Sequence, residues 1–181
     1  QIPQALFAIS AVGIGHLAMV SIMVMTPVHM SHVHISLKLI GLVISVHVLG
    51  MYAFAPLIGT LSDRLGRVRV IQIGFLILLA AAIISGLSPA MSTIPLGIGL
   101  FLLGLGWSCT LIAGSTYLSE SVATEMKPAS QGASDLVMNL MGALGGALSG
   151  VIIGIFSYGL LCAIVGMCVV FITLWSLKIK N

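Results

Sequence analysis

Charged side chains are scarce in this sequence. Of its 181 residues, 59% are hydrophobic and only 6% are charged, whereas a soluble domain carries roughly 25% charged residues because its surface has to be hydrated. A soluble globule of this length is therefore excluded. The surplus apolar surface has to meet lipid, and the lipid bilayer is an expected partner.

Cysteine and the usual signs of catalysis are also sparse. The three cysteines lie inside apolar runs, without the spacing of metal ligands or of a disulfide framework. No nucleophile with a base, phosphate loop or pair of catalytic carboxylates stands out, so we expect no enzyme and no cofactor. The net charge of +3 comes from residues between apolar runs and does not indicate nucleic-acid binding. No charged leader precedes a short apolar stretch, so no signal peptide is expected.

Six long apolar runs divide the chain. Each has the roughly 20 mostly apolar residues that a bilayer-spanning helix needs. None alternates with the period of two that is typical of barrel strands, so helices are the expected spanning form. The sequence therefore predicts an all-α membrane protein with six transmembrane helices in a single domain, residues 1–181. The expected spans are Leu6–Val28, Leu39–Leu61, Val70–Leu87, Ile94–Leu118, Ser130–Ile155 and Tyr158–Leu177.

The basic residues between the spans predict the orientation. If the six helices alternate in direction, all but one of the Lys and Arg residues fall on the same side of the membrane. Because basic residues favour the cytoplasmic side, we expect this side and both termini in the cytoplasm, with the chain in the plasma (inner) membrane. The residues on this side are Arg64, Arg67, Arg69, Lys127, Lys178 and Lys180, and Lys38 falls on the other.

The connection between the second and third spans, "GTLSDRLGRVR" at residues 59–69, holds an unusual share of the charge. We expect Gly59 to end the second helix and Gly66 to permit a tight reversal. Asp63 can accept hydrogen bonds from the amides at a neighbouring helix N-terminus. Arginine forks can bridge carboxylates or bind anionic headgroups, and the arginines here are Arg64, Arg67 and Arg69. The loop is therefore interpreted as a clip between helix ends that can form and break.

This loop resembles the G-x-L-x-D-R-x-G-R-x-R loop of the major facilitator superfamily of secondary transporters, at the matching place in a six-helix half. Residues 102–120 and 130–150 resemble the tenth and eleventh helices of that family. The resemblance covers essentially the whole chain but half of a usual twelve-helix transporter, and it favours the C-terminal half. It implies alternating-access transport of a small molecule, with a second half, covalent or a second copy, supplying the rest.

The resemblance also implies roles for individual residues. Asp63 would cap a helix of the partner half, and Arg67 would pair with Glu120 at the cytoplasmic end of the fourth span. These three charges would form a gating cluster. The alternative is that they only anchor the loop and set the orientation.

A glycine repeat marks the fifth span. Gly142, Gly146, Gly150 and Gly154 recur every four residues, which leaves a groove on one helix face. Such a groove admits another helix at van der Waals distance. Sliding between the two halves and plain packing within the bundle are both open interpretations.

Several polar residues are predicted at membrane depth, where they are costly and often functional. His16 and His47 lie near mid-span and could both face one cavity, or each could satisfy a backbone carbonyl and pack. Trp107 could stack on a substrate or fill space between helices. Asp135 and Asn139, one turn apart, could contact the other half, or Asp135 could simply favour its own helix N-terminus.

The first external loop, "PVHMSHVH", contains His29, His32 and His34 around Met30. Histidine and methionine are ligands for copper or zinc, but no second ligand cluster supports them, so no metal site is expected. A channel or scaffold without alternating access remains the alternative function. It would need polar residues along several helices, and few are present.

Overall fold

The computed structural model describes residues 2–89 and 91–179, and helices account for nearly all of them. In the described part of the chain, α1, α4, α5, α6 and α7 are each long and apolar enough to span a membrane, and α2 with α3 forms a sixth span. The expected all-α membrane protein with six spans is confirmed. The helices are α1 (Ile2–Ser31), α2 (Leu37–Tyr52), α3 (Ala55–Leu65), α4 (Arg67–Leu87), α5 (Thr93–Ser121), α6 (Lys127–Ile155) and α7 (Tyr158–Ser176).

Most helices extend beyond the apolar runs that predicted them. The first helix begins at Ile2 rather than Leu6, and α6 begins at Lys127, directly after a 3₁₀ turn. Hydropathy marks only the residues that meet hydrocarbon, whereas the helix continues into the polar interface. The expected spans therefore lie close to the observed helices but often begin too late.

The second span, expected as one helix over Leu39–Leu61, is broken near its middle. Pro56 lies in the first turn of α3, where its missing N–H costs nothing, but its ring would clash with the carbonyl four residues earlier if α2 continued. The expectation that Gly59 ends this helix is wrong. The helix runs through Gly59 to Leu65, because its last turn is closed instead by the N–H of Gly66, which donates to the Ser62 carbonyl.

The reversal between α3 and α4 consists of Gly66 alone. Its φ of 94° lies in the left-handed region that glycine adopts at little cost. Because α4 begins at the next residue, Arg67 is held at the very end of the bundle. We call this end, which also contains the α5–α6 connection, the charged end.

Two helices form the centre of the bundle. Helices α1 and α5 contact most of the others and bury the largest share of their residues, while α4 and α7 pack against them on one side. Helix α6 is the least covered. Of its 29 residues it buries only the small ones Ser134, Gly142, Gly145 and Ser149. One flank of the bundle, formed by α2 and α6, is therefore largely open.

Glycines bring the α5 backbone close to its neighbours. A Cβ at Gly104 would collide with the carbonyl oxygen of His47 on α2, and one at Gly106 would lie 2.9 Å from the carbonyl oxygen of Gly74 on α4. Small residues at such crossings increase the van der Waals contact that holds membrane helices together. These two glycines of α5 therefore pack within the bundle.

Six spans return the chain to the end from which it started. The first turn of α1 and the last turn of α7 both lie at the charged end. Lys178 is exposed there, whereas Lys180, which contributed to the predicted orientation, lies outside the described residues.

Candidate functional site

Three charged side chains meet at the charged end. The guanidinium of Arg67 donates from Nη2 to Oε1 of Glu120 at 2.9 Å and from Nε to both carboxylate oxygens at 3.3 Å. Its Nη1 donates to Oδ1 of Asp63 at 2.5 Å. We call these residues the charge cluster. It joins the end of α3, the start of α4 and the end of α5, so relative movement of these helices has to break it.

The two carboxylates differ in exposure. The Asp63 side chain is 70% exposed and that of Glu120 is 52% exposed, whereas the Arg67 side chain is only 20% exposed. Asp63 therefore keeps an accessible carboxylate edge, as the expected contact with a partner half would require. Arg64 and Arg69 are also exposed, and neither forms an ion pair among residues 2–89 and 91–179.

A small pocket of about 230 Å³ adjoins the charge cluster. Ser62 and Tyr117 line it, and the enclosed hydroxyl of each makes no hydrogen bond of standard geometry within the described chain. Buried hydroxyls are normally satisfied, and one water occupies about 30 Å³ of liquid volume. The pocket has room for water molecules that would complete these hydrogen bonds.

A second polar group lies in the middle of the bundle. Nε1 of Trp107 on α5 donates to Nδ1 of His16 on α1 at 3.0 Å. The exposed ring of Tyr52, the last residue of α2, meets the Trp107 ring edge-on, with 6.2 Å between centroids. On the other side of His16, a Cβ at Gly142 would lie 2.8 Å from Nε2. We call His16, Trp107 and Tyr52 the ring cluster.

His47 does not join the ring cluster. It is 0% exposed, and its Nδ1 lies 2.8 Å from the carbonyl oxygen of Leu100 on α5. Its Nε2 is enclosed, with no partner in the described chain. The shared cavity suggested for His16 and His47 is therefore not formed, because the close α2–α5 crossing places His47 between the two helices. The geometry is that of the packing alternative.

Asp135 and Asn139 are both exposed on α6. The Asn139 side-chain amide donates to the backbone carbonyl of Asp135 at 2.7 Å, and Asp135 has no ion pair among the described residues. Because α6 begins at Lys127, Asp135 lies in the third turn, beyond the first turn in which the helix dipole acts strongly. A favourable interaction with the N-terminus of its own helix is therefore a weak explanation for Asp135.

The glycines of α6 divide into two groups. Gly142 contacts His16, and a Cβ at Gly146 would lie 3.6 Å from Val20, so both face α1. Gly150 and Gly154 have nothing from the described residues within 4 Å of an added Cβ. The first pair packs within the bundle, and the second pair lies on open surface.

The histidine loop is split by the fold. His29 belongs to α1, where its ring stacks on Tyr158 of α7 with 4.5 Å between centroids. The hydroxyl of Tyr158 is also hydrogen-bonded to Thr26 at 2.8 Å. His32 and His34 are exposed, and no group of three or more potential metal ligands occurs among the described residues.

Sequence reasoning missed three of these participants: Tyr52, Ser62 and Tyr117. Tyr52 could have been suspected from the Pro56 that follows it, since a helix break exposes the residues before it. Nothing in the sequence distinguishes the buried Ser62 and Tyr117 hydroxyls from others in the apolar spans.

The sequence pattern of the Major Facilitator Superfamily matches residues 7–181 of this chain. Two curated relatives come from Bacillus subtilis (strain 168), where each is described as an uncharacterized MFS-type transporter. YddS is 36% identical over 168 residues and YdeG is 40% identical over 163 residues. The alignments cover 91% and 88% of this chain but only 38% of each relative. The chain thus spans well under half the length of these relatives.

Proposed function

The chain belongs to the major facilitator superfamily, and on this premise we propose that it is one half, the C-terminal one, of a secondary active transporter. The transporter moves a small molecule by alternating access, in which two halves rock about a site near the bilayer midplane. The chain aligns with only 38% of the length of each relative, which supports the proposal that it needs another half. That half is either covalently attached or a second copy.

The open flank of the bundle is the proposed surface for the second half. On α6, Gly150 and Gly154 are exposed and leave an unfilled groove, whereas the exposed side chains of Leu140, Leu144 and Leu148 lie on another face of the helix. Close approach of a second bundle would fill this groove. Asp135, also on this flank, would meet a basic residue of the other half.

The charge cluster is the proposed gate. We place the charged end and both termini in the cytoplasm of a cell whose plasma membrane holds the protein, because Arg64, Arg67 and Arg69 lie at this end. When intact, the cluster holds α3, α4 and α5 together, and Asp63 reaches a helix N-terminus of the other half. When the cytoplasmic side opens, these contacts separate.

The observation that carries the proposal is the charge cluster, because it joins three helices at one end of the bundle. The open flank of the same bundle is not covered by other helices of the described chain. The experiment uses the complete transporter in membrane vesicles prepared from cells, with the native cysteines replaced by serine and the single substitution Tyr52→Cys. A membrane-impermeant maleimide is applied to right-side-out or inside-out vesicles. Matched proteins carry the cysteine at Leu174, which is 58% exposed on α7.

Alternating access predicts that the cysteine at position 52 reacts from either side, and that Arg67→Gln raises reactivity from the cytoplasmic side while lowering it from the other. The cysteine at position 174 should not respond to Arg67→Gln. If Arg67→Gln leaves both rates at position 52 unchanged, the gate is wrong. A rise from both sides together would instead indicate a channel and overturn alternating access.

A further inference from the structure

The His16–Trp107 hydrogen bond determines which nitrogen of His16 carries a proton. An indole nitrogen can donate but has no lone pair with which to accept. Since Nε1 of Trp107 lies 3.0 Å from Nδ1 of His16, Nδ1 has to be the acceptor and is unprotonated. The neutral imidazole then carries its proton on Nε2 and presents an N–H donor on that edge.

The Nε2 edge faces α6 across a residue without a side chain. A Cβ at Gly142 would lie 2.7 Å from Cδ2 and 2.8 Å from Nε2 of His16, which is closer than real side chains approach. No hydrogen-bond partner for Nε2 occurs among residues 2–89 and 91–179, and the ring is only half-buried. Gly142 covers part of this edge, but Nε2 is not fully enclosed, so the donor keeps some access beside α6.

Two large rings lie on the other, Nδ1 side of the His16 imidazole. Trp107 is 7% exposed and lies behind His16, while Tyr52 is 61% exposed and meets Trp107 at an interplanar angle of 82°. No carboxylate in the described chain is hydrogen-bonded or ion-paired to any of the three rings. The surface thus offers one directed donor and exposed aromatic area, with no counter-charge for a cation.

We propose that Trp107 is a positioning residue that holds His16 in the Nε2–H tautomer. We further propose that the substrate contact on this half takes a molecule with an apolar or aromatic part beside an acceptor oxygen. An ammonium group cannot pair with Nε2–H, since it brings only donors to a donor. The substrate class rests on the proposed transport function, whereas the tautomer does not.

Nitrogen-15 NMR of ¹⁵N-histidine-labelled complete protein in lipid nanodiscs tests the tautomer, because protonated and unprotonated ring nitrogens resonate at well-separated positions. The His16→Gln spectrum identifies the His16 signals by difference. We expect Nδ1 unprotonated and Nε2 protonated in the unmodified protein, with a mixture of tautomers in Trp107→Phe. The matched control is Trp175→Phe, because Trp175 packs on Phe7 and not on His16. A protonated Nδ1 in the unmodified protein, or identical spectra for the two tryptophan variants, would overturn the assignment.

Three probes of similar shape test the substrate class: phenylacetate, phenylacetamide and phenethylammonium. Each is titrated while the Nε2 signal of His16 is followed. The acid and the amide should shift this signal, and the shift should diminish in Trp107→Phe but not in Trp175→Phe. An equal shift by phenethylammonium, or no shift by either oxygen-bearing probe, refutes the acceptor class. The tautomer result would still stand if the two-sided labelling of position 52 failed, so the two proposals fail separately.

Discussion

Removing the Arg67–Glu120 contact has an effect that can be worked out from its geometry. Exposed ion pairs contribute about 0.2–1 kcal/mol. Here the guanidinium reaches both oxygens of Glu120, at 2.9–3.3 Å, and the Arg67 side chain is only 20% exposed. These features place the pair near the upper limit, at about 1 kcal/mol, which is roughly fivefold in an equilibrium constant. The Arg67–Asp63 contact, with a 70% exposed carboxylate, should contribute about 0.3–0.5 kcal/mol.

A double-mutant cycle measures this coupling. The variants are Arg67→Gln, Glu120→Gln and the double variant, each in the complete transporter with the cysteine at position 52. Glu120→Gln should raise cytoplasmic labelling about fivefold, and Arg67→Gln roughly tenfold because it also loses the contact with Asp63. The double variant should rise no further than Arg67→Gln. Added salt should reduce the difference from the unmodified protein, since exposed charges are screened.

The control for this cycle is Arg69→Gln. It removes one positive charge from the same loop, but Arg69 has no ion pair among the described residues, so it should not be coupled to Glu120→Gln. Independent effects of Arg67→Gln and Glu120→Gln, which would multiply to roughly 50-fold in the double variant, would refute the reasoning. The cluster would then only anchor the loop.

Three further substitutions test the packing. The free energy of unfolding in mixed micelles is measured for Gly104→Ala and Tyr158→Phe, and the nitrogen-15 signal of His16 for Gly142→Ala. Gly104→Ala should destabilise the protein by about 1–3 kcal/mol, because the added Cβ meets a backbone oxygen that cannot rotate away. The control is Gly97→Ala on the same helix, where nothing lies within 4 Å of an added Cβ, and it should be neutral or stabilise the protein by up to about 1 kcal/mol. Equal effects of the two substitutions would contradict the close crossing of α2 and α5. Gly142→Ala should displace His16 and abolish its characteristic Nε2 signal, and an unchanged signal would show that the ring is held differently. Tyr158→Phe removes a buried hydroxyl bonded at 2.8 Å and should cost about 1 kcal/mol; no loss would mean that water replaces it in full.

The fold could be predicted from the sequence because the bilayer reduces the number of possible structures. Backbone groups in hydrocarbon have to be paired within the segment, so an apolar run of sufficient length is a helix. Local chemistry then decides the ends. The reversal at Gly66 follows from the backbone freedom of glycine and agrees with the prediction. The break before Pro56 follows from the proline ring, but the predicted second span runs through it, and Gly59 does not end a helix.

The charge cluster was partly predictable, and the ring cluster was not. Asp63 and Arg67 are four residues apart, so their contact is local. Glu120 is 53 residues beyond Arg67 and was linked to it only by the resemblance to a family. The rotation of each helix about its axis depends on its neighbours, and an apolar span gives little indication of its inner face. His16 and His47 lie at similar depth. Because their helices are rotated differently, His16 faces α6, whereas His47 is enclosed against α5.

The scarcity of charge also explains why the two polar clusters differ in chemistry. At the end of the bundle, water solvates the separated charges, so the charge cluster can break at a cost of about 1 kcal/mol or less per pair. At mid-membrane, an unpaired charge would cost several kcal/mol, and a neutral hydrogen bond between His16 and Trp107 is the cheaper way to hold a polar atom in place. A transporter that rocks between states needs contacts that break readily at its gate and a binding surface that keeps its shape. If Glu120→Gln changed the His16 tautomer as strongly as Trp107→Phe, the two clusters would form one network, and this division of roles would be wrong.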